Sequence, residues 1–289
     1  MKNTTKTQLI DERLMYDVLS IPSLSGNEKC MQAFLLEYAR NNGISANIDE
    51  KGNIYLCKGT LADVEFYPCV TAHMDTVHHS HIPFIEANKK IPLQTEERNG
   101  KHLIFADDFG LGGDDKAGIV VALTIMERLQ VCKAVFFVEE EIGCRGSEDA
   151  DLSWFRDVGY IIAFDSPGSN CASWSCCGER LFDREFYEQF LEELGDKYGL
   201  THYEAHPYTD VMMLRMNTSL ACMNFGAGYY NLHTDMEYVV IEDMNHAVDM
   251  GLYLIGRLGN TEYILPFTPH YISGDDDDYD YFNEKFECN

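Results

Sequence analysis

The chain reads as an α/β domain, a three-layer α/β/α sandwich around a mostly parallel, mixed central sheet, and three observations predict it. Apolar runs too continuous for half-exposed strands recur in EFYPCVTAHMDT, KAVFFVEEEIG and YIIAFDSPG, and such runs belong to strands covered on both faces. Helical spacing alternates with these runs, the pattern of a sheet built with crossover helices. Each run also stops on a histidine or an acid, at the strand end where open α/β sheets bind their ligands.

The elements follow in order. Residues 8–18 and 28–41 carry apolar side chains at helical spacing, and IPSLSGNE between them makes a turn with an N-cap expected at Ser25 or Asn27. SANIDEKGNIYLCKG alternates around Lys51-Gly52 as a hairpin, and EFYPCVTAHMDT follows as a buried strand. Residues 78–109 are polar and irregular apart from a strand at KHLIFA; GGDDKAG then opens a helix continuing through AGIVVALTIMERLQ. Next come the strand KAVFFVEEEIG, a short helix in GSEDADLSWFRDVG and the strand YIIAFDSPG. A strand at NCASWSC, the helix DREFYEQFLEELGDKYG, a short helix near YTDVMMLR and the strand and glycine-rich loop SLACMNFGAGYYNLHTDMEYV complete the core. We expect one domain over 1–258 and an acidic extension over 259–289, where aspartates at 275–278 suit a solvated tail.

A formal net charge of -26 over 289 residues excludes sequence-independent binding to nucleic acid or anionic membrane, since both need a positive surface. The opening MKNTTKTQLIDERLMYDVL is polar where a signal peptide needs an apolar core, and no apolar run approaches membrane-spanning length, so a soluble cytoplasmic protein is expected. The ten cysteines are scattered, several inside apolar strands, which suits buried reduced thiols; Cys176-Cys177 lacks zinc-ribbon spacing.

Chemistry concentrates at a few turns. In Gly112-Gly113-Asp114-Asp115-Lys116-Ala117-Gly118 an acidic pair sits inside a glycine corner, which suits a cation; a phosphate would be repelled, and Ala117 stands where a P-loop has Ser or Thr. His73-Met74-Asp75 ends a strand with two side chains on one side, although the triplet alone equally suits a core histidine. Glu139-Glu140-Glu141 are mutually repelling carboxylates unless cations or solvent separate them. Asp165 ends a third strand and His233 follows a glycine-rich loop. Together His73, Asp114, Glu141, Asp165 and His233 suit two zinc-like divalent ions that share a bridging carboxylate.

In this order, from IPSLSGNE through HMDT, GGDDKAG, VEEEIG and AFD to YNLHTDMEYV, the sequence resembles the co-catalytic zinc exopeptidases. The closest likeness is to the branch that holds peptidase T, glutamate-releasing carboxypeptidases and aminoacylases. The resemblance implies a zinc-exopeptidase-like domain with two divalent metal ions, Zn2+ by preference. His73 and Asp165 would bind one ion, Glu141 and His233 the other, and Asp114 both. It further implies that Asp75 fixes the ring of His73, that Glu140 is the general base acting with a metal-bridging water, and that the peptide after Asp114 is cis.

One departure stands out. That branch inserts a lid and dimerisation domain between its last two ligands, whereas Asp165 and His233 lie only 68 positions apart, an interval already filled by core elements. An open cleft is therefore expected, bordered by residues 78–109 or the acidic tail, with the oligomeric state left open. The expected activity is a metal-dependent exopeptidase, an aminopeptidase on short peptides. An N-deacylase or carboxypeptidase-like amidohydrolase acting on N-acyl amino acids is the alternative, with Arg145, Arg180 or Arg215 to hold a carboxylate, and a binding protein on a degenerate peptidase fold is the non-enzymatic one.

Overall fold

A computed structural model describes residues 8–265 apart from 63, 79–89, 108–109, 177–178 and 207–208. Much of the segment expected to border the cleft, and the tail from 266 onward, lie outside the described residues. Helix α1 (Glu12–Leu19) is capped by the Asp11 carboxylate, and α2 (Lys29–Asn41) follows. The side-chain cap expected for α2 at Ser25 or Asn27 does not form. Glu28 occupies the N-cap without capping it, and the Ser25 hydroxyl donates instead to Asp75 at 2.7 Å, because a buried carboxylate is the more demanding acceptor.

The central sheet takes in β1 (Ser45–Ile48), β2 (Ile54–Lys58), β3 (Tyr67–His73), β6 (Cys132–Phe137), β7 (Val158–Ser166), β8 (Cys171–Cys176), β9 (Glu179–Arg180), β10 (His202–His206) and β11 (Cys222–Gly226). Their order is β1-β2-β6-β3-β7-β11-β8-β10, with β9 on β8. The middle strands β6, β3, β7 and β11 pair in parallel, while β2 on one flank and β8 on the other pair antiparallel with them. Strands β3, β6, β7, β8 and β11 are buried at every position, as the apolar runs around β3, β6 and β7 require; β8 and β11 also bury Ser173, Ser175 and Asn224.

Helices cover the sheet. The long helix α3 (Gly113–Arg128) lies on β3, β6 and β7, with α1 and α8 (Ile241–Leu258) packed against it. Helix α7 (Asp210–Thr218) packs on β3, β7 and β11 and against the single turn α4 (Arg145–Glu148). The stretch DREFYEQFLEELGDKY forms α5 (Arg184–Phe186), a π-helical turn at Tyr187–Leu191 and α6 (Glu192–Tyr198) in succession.

A second sheet, of order β12-β13-β5-β4, joins β4 (Gln94–Arg98), β5 (Lys101–Phe105), β12 (Tyr229–Tyr230) and β13 (Tyr238–Val240), all antiparallel. The sequence reading contained only β5 of these. Strand β4 is exposed throughout, and β12 and β13 are too short to show a period. Beyond α8, the Tyr263 N–H donates to the Gly159 carbonyl at 2.9 Å and the Leu265 N–H to that of Ser219 at 2.8 Å, so the described residues past 258 stay attached to the core. Among the described residues no disulfide joins two cysteines, and no helix is long and apolar enough to cross a membrane.

Candidate metal centre

Strand β3 delivers His73 to its carboxyl end with the imidazole buried. Nδ1 lies 2.8 Å from the carbonyl oxygen of Asp75 and 3.5 Å from that residue's carboxylate, so Asp75 fixes the ring through its backbone as well as its side chain. On the other edge of the ring, Nε2 lies 3.2 Å from Asp114 Oδ1 and 3.5 Å from Asp165 Oδ1.

Asp114 comes from the opening of α3, not from a strand of the central sheet. Its φ and ψ are non-helical and the Asp114–Asp115 peptide is cis. The second oxygen, Oδ2, lies 3.2 Å from His233 Nε2, and Glu141 Oε1 lies 2.9 Å from that same nitrogen. His233 is carried by the loop between β12 and β13, so the second sheet supplies one side of the site.

The structure thus brings His73, Asp114, Glu141, Asp165 and His233 together, with Asp114 in the middle. Asp115 groups instead with His73 and Asp165 and does not reach His233; one of its carboxylate oxygens is buried without a hydrogen-bond partner. Asp165 is held by the Thr209 hydroxyl at 3.1 Å, and its backbone is clasped by Asn224, which accepts its N–H at 2.9 Å and donates to its carbonyl at 3.0 Å.

Glu139, Glu140 and Glu141 diverge. Glu139 pairs with Lys51 at 2.8 Å, Glu141 faces His233, and Glu140 Oε2 stays 3.9 Å from His73 while Oε1 accepts the Cys144 thiol at 3.4 Å. Asp75 orders this turn by accepting the N–H groups of Glu140 at 2.9 Å and Glu141 at 3.1 Å.

The carboxylates and histidines are crowded enough to perturb one another's titration. Burial pushes Glu140 up to about 9, with Asp165, Asp210 and Glu141 adding to the rise and His73 opposing it. Hydrogen bonds to Asp114 and Glu141 push His233 up to about 10. Burial alone would raise Asp114, but the hydrogen bonds from His233 and His73 hold it well below the usual carboxylate range. Among the described residues three groups of donor atoms each converge closely enough for one ion: Asp114 with Glu141 and His233, His73 with Asp115 and Asp165, and His73 with Glu140 and Glu141. Imidazole and carboxylate in that ratio suit zinc-class divalent cations.

Three buried residues of this region were not singled out from the sequence. Glu237, at the foot of β13, accepts the N–H groups of Gly112 and of Asp114, the latter at 3.0 Å. Asp210, at the start of α7, has one oxygen without a partner, and burial pushes it up to about 7. Cys144 touches Glu140. The signals were faint: Glu237 lies inside YNLHTDMEYV and Asp210 inside YTDVMMLR, where each acid looks like an ordinary loop residue.

No protein-family model matches the chain. A peptidase T-like protein of Yersinia pestis is 30% identical over 50% of this chain and 42% of that protein, so the chain spans less than half the length of that relative. Among solved structures, a tripeptidase from Staphylococcus aureus aligns with a TM-score of 0.67 at 16% identity, covering 86% of this chain and 99% of that one. Aminopeptidase PepT from Bacillus cereus aligns with a TM-score of 0.69 at 14% identity and the same coverage. Identity this low speaks for the fold alone. The chain has the fold of the zinc exopeptidases, and its sequence is similar to the peptidase T side of that superfamily.

Proposed function

We propose that this chain is a metal-dependent exopeptidase that removes residues from the free amino end of short peptides. His73 and Asp165 would hold one divalent ion, Glu141 and His233 the other, and Asp114 both. The observation that carries the reading is the single carboxylate of Asp114 set 3.2 Å from each of two histidines that come from different sheets. A pair of zinc-class cations held there would supply an acidified water and polarise the scissile carbonyl.

The chain's own residues do the rest. Glu140 stays off the ligand set, takes the proton from water and returns it to the departing amine. Burial and neighbouring acids raise its pKa, and divalent cations held nearby would lower it toward working range. Asp75 holds the Glu140–Glu141 turn so that one carboxylate serves as ligand and its neighbour as base.

Charge favours the amino end of a substrate. The carboxylates of Asp75, Asp114, Glu140, Glu141 and Asp165 outnumber the charges of two divalent ions, so an ammonium is attracted and a carboxylate repelled. Arg215, one alternative holder of a substrate carboxylate, is buried with Nε on the Arg180 carbonyl at 3.1 Å, near Cys222 at the start of β11, whereas Asp165 lies level with the end of that strand.

Hydrolysis of matched free-amine, N-blocked and C-blocked peptides by metal-loaded protein tests the reading. Cleavage that requires a free amine supports it. Preference for N-blocked substrates would move the chain to the deacylases or carboxypeptidases, and metal uptake without any hydrolysis would make it a binding protein on a peptidase fold.

A further inference from the structure

We infer that Glu237 is a positioning residue for the metal centre, locking the His233 loop onto the Asp114 turn. The inference rests on the proposed metal centre but assigns a residue that the ligand set does not contain. Glu237 is 1% exposed, and both of its oxygens point at backbone: Oε1 accepts the Asp114 N–H at 3.0 Å and Oε2 accepts the N–H of Gly112. It lies four residues after His233, on the same short loop. One side chain therefore spans from the loop that carries an imidazole donor to the turn that carries the central carboxylate.

The surrounding sequence is shaped to allow that clasp. A Cβ on Gly113 would meet Val239 Cγ1 at 2.9 Å, Tyr229 Cβ at 3.1 Å and Glu237 Oε1 at 3.3 Å, so glycine lets the turn close on β13 and on the carboxylate. Gly112 has a φ of +66°, and its Cβ would strike Thr76 at 2.8 Å. His233 itself has a φ of 58°, a conformation that a histidine keeps only where neighbouring structure holds it. Its imidazole is otherwise 42% exposed, and its loop needs an anchor to stay 3.2 Å from Asp114. A carboxylate accepting two backbone N–H groups is a strong anchor, since each bond is charge-assisted.

The consequence is site-selective. Glu237 joins the His233 loop to the Asp114 turn; His233 would serve one ion alone whereas Asp114 would serve both, so loss of Glu237 should loosen the His233 ion far more than the other.

The test is calorimetric titration of the metal-free protein with Zn2+, for wild type, Glu237→Gln, Glu237→Asp, His233→Ala and Asp243→Asn. His233→Ala identifies the binding step that belongs to its own ion. Glu237→Gln keeps the size but offers one acceptor where two N–H groups need one each, and that step should weaken about 10–100-fold while the other changes less than about 3-fold. Glu237→Asp, too short to reach both N–H groups, should do the same and stands in if the glutamine variant fails to fold. Asp243, a buried acid paired with Lys101 at 2.8 Å and Tyr230 at 2.6 Å, serves as the control for general destabilisation and should leave both steps in place.

Hydrogen exchange supplies a readout independent of metal: the amides of Gly112 and Asp114 should exchange faster in Glu237→Gln than in Asp243→Asn. Two unaltered binding steps in both Glu237 variants would overturn the inference alone. Equal weakening of both steps would also overturn it, by making Glu237 a general support of the fold. A wild-type protein that binds no Zn2+ would overturn it together with the metal reading, whereas normal titrations without peptide hydrolysis would remove only the exopeptidase reading.

Discussion

Asp75 accepts the backbone N–H of Glu140 at 2.9 Å, so the acid that follows strand β3 governs the turn that follows strand β6. Its carboxylate also takes the Glu141 N–H and the Ser25 hydroxyl, and it stays ionised below the usual range: burial raises its pKa, but the hydrogen bonds from His73, Ser25 and Glu140 outweigh that. Asp75→Asn turns one acceptor oxygen into a donor facing these groups. We expect kcat to fall about 10–100-fold with a smaller loss of zinc affinity, read from steady-state kinetics and zinc titration. A variant with wild-type kcat would remove Asp75 from the machinery.

Glu140 and Glu141 should separate cleanly. Glu140→Gln cannot shuttle a proton and should lose at least about 10²-fold in kcat while still binding two metal equivalents. Glu141→Gln should lose metal first, because its Oε1 is the partner of His233 at 2.9 Å. Metal content measured beside turnover distinguishes the two; equal metal loss in both variants would sink the division of roles.

Metal uptake should depend on pH. The carboxylates favour protons on the histidines: His233 is pushed up to about 10 by Asp114 and Glu141, and for His73 burial acts to lower the pKa but Asp165, Asp114 and Asp75 outweigh it and raise it. A raised histidine keeps its proton to higher pH and an incoming cation must displace it, so apparent zinc affinity is lowest in acid and climbs as pH rises toward these folded-state values. Calorimetry at pH 7 in buffers of differing ionisation enthalpy should register net proton release on Zn2+ binding. Zero release, or affinity that falls from pH 6 to 8, would contradict the assigned ligands.

Gly113→Ala probes the close approach of the turn to β13. The added methyl meets Val239 and Tyr229 at 2.9 and 3.1 Å, which should cost about 1–3 kcal/mol in urea unfolding. A neutral substitution would show that the turn has room that this geometry denies.

The α/β architecture was legible because β3, β6 and β7 are largely apolar runs that end on, or run on within a few residues into, polar side chains that would be wasted inside a core. His73, Glu141 and Asp165 could be read from those endings. The second sheet could not be read, since β12 and β13 hold two and three residues and exist only through pairing, β12 with β13 and β13 with β5. Ser25 was misread as a helix cap because a local signal was consulted for a residue whose partner, Asp75, lies 50 positions away. Glu237 and Asp210 escaped for a related reason. Burial makes them exceptional, and burial is decided by tertiary packing that no short window of sequence contains.

The central claim, that Asp114 stands between two cations, is tested most directly by anomalous diffraction at the zinc edge from crystals soaked in Zn2+. The account predicts two peaks about 3.5–4 Å apart, one beside His73 and Asp165, the other beside Glu141 and His233, with Asp114 contacting both. A single peak in fully occupied crystals, or zinc held with His73 and His233 turned away from a common cleft, would contradict it.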